Sequence, residues 1–159
     1  MADRPQRTRP QAIGWLVLPI RVALGAVFVL AGVLKLEDPQ DFAFAIKGFK
    51  ILPDHAVYIA AFVVPAIEVL AGALLIIGLW ARAAALTLVL MLLAFTAGQV
   101  SIIARNMSVE CTCFGDLEWP CSGAIGTCHL IRNGVLTAMG IIAATLGPGP
   151  LSFDRQPHK

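Results

Sequence analysis

The chain has 159 residues, room for one domain, and 58% of them are hydrophobic while 14% are charged, giving a mean hydropathy of +0.79. Soluble domains run near 45–50% apolar and about 25% charged, so this composition lacks the polar side chains needed to clothe a water-facing surface. The formal charge of +2 is small, and Lys and Arg gather at segment ends rather than along a stripe, which argues against a nucleic-acid partner.

Residues 1–11, with Arg4, Arg7 and Arg9, read as a disordered basic tail. The apolar run that follows is interrupted early by Arg21 and is not followed by a small-residue cleavage site. It therefore reads as an uncleaved first helix rather than a signal peptide. This first span covers Trp15 to about Leu34, long enough for a hydrocarbon core of about 30 Å. Pro19 sits in its first turns, where a missing N–H matters least. Lys35-Leu36-Glu37-Asp38-Pro39 ends it. Phe42, Ala45, Ile46 and Phe49 then recur at helical spacing in a run too short to span, which predicts an amphipathic surface helix over 40–48.

The second span runs from about Ala56 to Trp80, with Pro65 predicting a kink and Glu68 near its middle. Ala81-Arg82 reads as a short turn, and Ala83–Ala104 as the third span. Asn106 to about Thr127 is the longest polar segment and holds Cys111, Cys113 and Cys121. The fourth span starts around Cys128–Leu130 and ends near Leu146, stopped by Gly147-Pro148-Gly149-Pro150. The expectation is an all-α, four-helix membrane bundle over residues 12–147, with a disordered C-terminal tail over 148–159. Four spans put both termini on one side. The basic N-terminal tail favours the cytoplasm of a cell (inner or plasma) membrane for that side, so the surface helix and the cysteine segment face outward.

Arg21 and Glu68 are charges inside spans. An arginine at bilayer depth costs about 2.5–3.5 kcal/mol on insertion scales, so the two are expected to face the bundle interior and to pair. The competing readings are a ligand or proton site and simple snorkelling by Arg21.

The cysteines are the chemical signal. Cys111 and Cys113 lie one residue apart, with Cys121 and Cys128 following, and four cysteines allow three pairings. Two dithiol pairs close together are what a relay through mixed disulfides needs, and an outward-facing segment lies where disulfides persist. Two inert disulfides stapling the segment explain the same spacing. A metal site does not fit, because the spacing departs from zinc-knuckle patterns. His129 and Arg132 flank Cys128, where a cation or a helix N-terminus favours thiolate; equally, both are residue types that reach lipid headgroups at an interface.

These residues resemble the MauE branch of the DoxX-like membrane protein superfamily. The resemblance is carried by Arg21-x-x-Leu24-Gly25 and by Phe28-x-x-Ala31-Gly32-x-x-Lys35-Leu36-x-Asp38-Pro39. It continues through Pro65-x-x-Glu68-x-x-x-Gly72, Cys111-x-Cys113-Phe114-Gly115 and Arg132-Asn133. The family usually has Gly between the two loop cysteines and this chain has Thr112, while Cys121 and Cys128 match no family position. The resemblance implies a membrane protein of methylamine utilisation that assists maturation of the disulfide-rich small subunit of a periplasmic methylamine dehydrogenase. It also implies kinship in layout with four-helix thiol oxidoreductases that pass electrons to a membrane quinone. The expected activity is thus thiol–disulfide exchange by Cys111, Cys113, Cys121 and Cys128 on a secreted, disulfide-containing client. The rival readings are a non-enzymatic assembly scaffold and a small-molecule transporter built on Arg21 and Glu68.

Overall fold

A computed structural model describes residues 11–107, 121 and 124–146, with side chains from residue 14. The two terminal tails and the Cys111–Cys113 motif lie outside the described residues. Among the described residues five helices follow in order: α1 (Gln11–Glu37), α2 (Pro39–Gly48), α3 (Asp54–Ile77), α4 (Ala81–Ala104) and α5 (Thr127–Leu146). There is no β-strand among the described residues. Helices α1, α3, α4 and α5 are each long and apolar enough to cross a membrane.

Local chemistry sets the boundaries. Asp38 caps α2 by accepting from the Asp41 N–H at 3.2 Å, with Pro39 at the first helical position. Helix α3 passes through Pro65 without interruption. It ends at Gly78, whose φ of 80° lets Gly78 N and Leu79 N both donate to the Leu74 carbonyl. The turn into α4 is therefore Gly78-Leu79-Trp80, and Ala81 and Arg82 open the next helix rather than forming the turn. The reason is the left-handed conformation that Gly78 accepts without a Cβ penalty.

Helix α1 packs most extensively on α3 and α4 on α5, while α3–α4 and α1–α5 contacts close the four spans into a ring. The shared core contains Leu24, Phe28, Leu75, Leu88, Leu92 and Leu136. A second cluster, Phe42, Ala43, Val57 and Ala61, fixes α2 onto the start of α3. At most 39% of any span's most apolar stretch is buried within the protein, so the remaining apolar faces point outward, a surface that lipid satisfies and water does not. Trp15 and Trp80, both strongly exposed, stand at the end that carries the termini, where amphipathic rings suit a membrane–water boundary.

The α1–α3 seam is backbone against backbone. A Cβ on Gly25 would lie 2.7 Å from the Gly72 carbonyl oxygen, and a Cβ on Gly72 2.8 Å from that of Gly25. Small residues permit such an approach between helices in lipid, where dispersion and close contact drive association.

Candidate functional site

The closeness of Gly25 to Gly72 and of Gly32 to Pro65 fixes the antiparallel register of α1 on α3 and sets Glu68 level with Val29. From that level Lys35 lies about 9 Å toward α2 and Arg21 about 12 Å toward the termini, at 1.5 Å per residue. Each Cα–Cβ bond tilts toward its own helix N-terminus. Lys35 and Glu68 therefore lean toward each other, while Arg21 leans away.

The ion pair inside the membrane is accordingly Lys35–Glu68, not the expected Arg21–Glu68. Lys35 Nζ donates to Glu68 Oε1 at 2.7 Å and to Oε2 at 2.6 Å, with both side chains 2% exposed. The ammonium also lies 5.2 Å from the Phe42 ring centre and 5.3 Å from that of Phe95, a cation–π enclosure completed by α2 and α4. Arg21, also buried, donates to the Ile76 carbonyl at 3.4 Å and lies against Gly78. Its charge thus meets the carbonyl-rich C-terminus of α3, where a cation is favoured.

Across a cavity of about 20 Å³, room for about one water molecule, the Lys35–Glu68 pair faces Asn133 of α5. Asn133 Nδ2 donates to Gln99 Oε1 at 3.3 Å and to Thr96 Oγ1 at 3.4 Å, tying α5 to α4. The half of the bundle away from the termini therefore has a polar interior with contributions from α1, α3, α4 and α5. The sequence reading missed Lys35, Gln99 and Asn133 as members of this cluster. A signal for Lys35 was present: it stands two heptads beyond Arg21 on the stripe Val17, Arg21, Leu24, Phe28, Ala31, all buried.

At the same end, Cys121 and Cys128 form a disulfide with a Cα–Cα distance of 5.9 Å, inside the usual range. Cys128 is in the first turn of α5 and exposed, whereas Cys121 is 6% exposed. His129 turns away from them into the bundle. Its Nδ1 accepts from the Gly126 N–H at 3.3 Å, the part a Glu or Gln plays in a capping box. With Nδ1 accepting, the ring proton sits on Nε2, which is buried and has no hydrogen-bond partner. His129 thus caps the helix and points away from Cys128, because adjacent helical positions point about 100° apart. Arg132, one turn after Cys128, does share its face. The two line a groove of about 540 Å³ with Cys121, Ile131, Val135 and Leu136.

Outside the spans, Lys47 of α2 reaches Tyr58 Oη at 3.4 Å and Asp54 Oδ1 at 3.3 Å. The Tyr58 hydrogen bond, followed by the Asp54 one, raises the Lys47 pKa above its ordinary value.

These features define a multi-pass helical membrane protein with a buried ion pair and a disulfide at one end of its bundle. The family model for methylamine utilisation protein MauE matches residues 13–146, and the chain belongs to that family. A methylamine utilization protein MauE of Paracoccus denitrificans is 30% identical over 128 residues, covering 79% of this chain and 67% of the relative. Its namesake from Paracoccus versutus is 33% identical over 130 residues, covering 81% and 68%. No solved structure matches the chain.

Proposed function

We propose that the protein carries out thiol–disulfide exchange at the outer membrane surface and so assists maturation of a periplasmic or extracellular disulfide-containing partner. By the name its relatives bear, that partner belongs to methylamine utilisation, and the small subunit of methylamine dehydrogenase is the candidate client. The observation that carries the reading is the Cys121–Cys128 disulfide at the first turn of α5, at the bundle end away from both termini. The basic residues Arg4, Arg7 and Arg9 favour a cytoplasmic N-terminus, which turns that end toward an oxidising compartment. The Cys111 and Cys113 thiols belong to the same connecting segment by sequence and supply the second pair that a relay needs.

Regenerating a disulfide requires a two-electron acceptor, and the one implied by the resemblance is a membrane quinone. The groove beside the two sulfurs, with Ile131, Val135 and Leu136 as apolar walls, supports that reading. The transport reading loses the Arg21–Glu68 pair on which it was built, since Glu68 is bound to Lys35.

Alkylation mass mapping of the four cysteines in intact membranes tests the proposal, using wild type and the Cys111→Ser and Cys113→Ser variants. The expected result is a mixture of reduced and oxidised states, or a trapped mixed disulfide with a secreted protein. Cysteines that stay fully oxidised in mild reductant, with partner disulfides unaffected by either substitution, would reject exchange in favour of an assembly scaffold.

A further inference from the structure

The two bonded sulfurs are not equivalent. Cys121 is 6% exposed, while Cys128 is exposed. Cys128 also occupies the first turn of α5, where unpaired backbone N–H groups favour negative charge, and Arg132 lies one turn on in the same groove. His129, its sequence neighbour, is committed to the Gly126 cap on the interior face.

Within the exchange reading above, on which this inference rests, we propose that Cys128 is the sulfur that carries the partner in the mixed disulfide and that Cys121 is the sulfur released as a thiolate. In the oxidising direction a partner thiolate attacks Cys128 Sγ. A partner–Cys128 bond forms as the Cys121–Cys128 bond breaks, and Cys121 leaves as a thiolate that takes a proton from water. The partner's second thiolate then attacks its own sulfur in the mixed disulfide, and Cys128 leaves as a thiolate. The partner dithiol is oxidised to a disulfide by two electrons, and the Cys121–Cys128 pair is reduced to a dithiol.

Burial decides the first step, because exchange rates depend on access to the attacked sulfur. Charge decides the second, because the helix N-terminus and the Arg132 guanidinium stabilise the departing Cys128 sulfur. Arg132 acts here as a positioning residue through its charge. The reverse assignment would send the partner to the buried sulfur and release the exposed one.

The test uses the full-length protein in lipid nanodiscs with reduced glutathione as the attacking thiol, followed by acid quench and mass mapping. Wild-type protein should carry the glutathione adduct on Cys128 in large excess over Cys121. With oxidised glutathione, the Cys121→Ser variant should be modified at Cys128 on the order of tenfold faster than the Cys128→Ser variant at Cys121, by access alone. In the Cys121→Ser background, Arg132→Gln should slow modification near neutral pH and lose that effect at high pH, while Arg132→Lys retains the wild-type profile. The wild-type arm stands even if a variant fails to fold. Adduct found mainly on Cys121, or equally on both, overturns the assignment and leaves exchange standing. An intact Cys121–Cys128 bond with no adduct on either cysteine rejects exchange itself, and the assignment with it.

Discussion

Lys35 and Glu68, one near the end of α1 and the other at the middle of α3, form a doubly hydrogen-bonded ion pair from which solvent is excluded. Removing one partner of such a pair leaves a charge uncompensated and costs about 3–5 kcal/mol, whereas replacing both with apolar groups of similar volume is close to neutral. Glu68→Gln or Lys35→Met should therefore lower the melting temperature of the purified protein sharply, and Lys35→Met with Glu68→Leu should recover most of the loss. Arg21→Ala combined with Glu68→Gln should be additive. Strong coupling between Arg21 and Glu68 would contradict the register described above.

The α1–α3 seam makes a second, sign-specific prediction. Gly72→Ala places a methyl 2.8 Å from a backbone carbonyl oxygen that cannot swing aside. Overpacking of this kind typically costs about 1–3 kcal/mol. Gly134→Ala in α5 meets nothing within 4 Å and should stabilise its helix by up to about 1 kcal/mol. Parallel melting curves of the two variants check both signs.

His129→Ala removes the acceptor for the Gly126 N–H and should fray the first turn of α5 by about 1 kcal/mol. Hydrogen exchange would read this as faster amide turnover at residues 126–130, with the middle of α5 unchanged. Unchanged protection there would show that the disulfide alone holds the turn.

Reporter fusions after residues 50 and 118 should score on the outer side, and those after 81 and 155 on the cytoplasmic side. Residues 118 and 155 on the same side would rule out four spans.

Lys47 gives a pH dependence. Its folded pKa is raised, chiefly by Tyr58 and then Asp54, so its stabilisation is complete below the free-lysine value of about 10.4. It is lost as the pH climbs through the raised value. Hydrogen exchange of α2, corrected for the base-catalysed rise in the intrinsic rate, should hold steady up to about pH 10 and quicken above it. Quickening that begins near neutrality would point to a different anchor.

The spans were legible because length and hydropathy alone define them, and the surface helix because its apolar residues repeat at helical spacing in a run too short to cross. The end of α3 and the start of α4 were read three and two residues off, since Gly78 stops a helix by backbone conformation and not by polarity. The ion pair was misassigned for another reason. Glu68 was visible as a buried charge, but its partner depends on the register of two helices, which no single helix encodes. Lys35 looked like the close of a span and was never set on the stripe it shares with Arg21. Gln99 lies in α4, and Asn133, which the resemblance set beside Arg132, lies in α5; only the α4–α5 contact joins them. The sequence left three cysteine pairings open, of which the structure contains Cys121–Cys128.

The position of Glu68 also bears on how the chain is made. Synthesis delivers α1 to the bilayer first, with Lys35 close enough to its C-terminal end for the ammonium to reach water while it waits. Glu68 has no such refuge, since it arrives in the middle of the next span. It finds its counter-ion already in place on the preceding helix, at a seam whose glycines accept close approach. The first two spans thus form a hairpin whose buried Lys35 and Glu68 charges neutralise each other without help from α4 or α5.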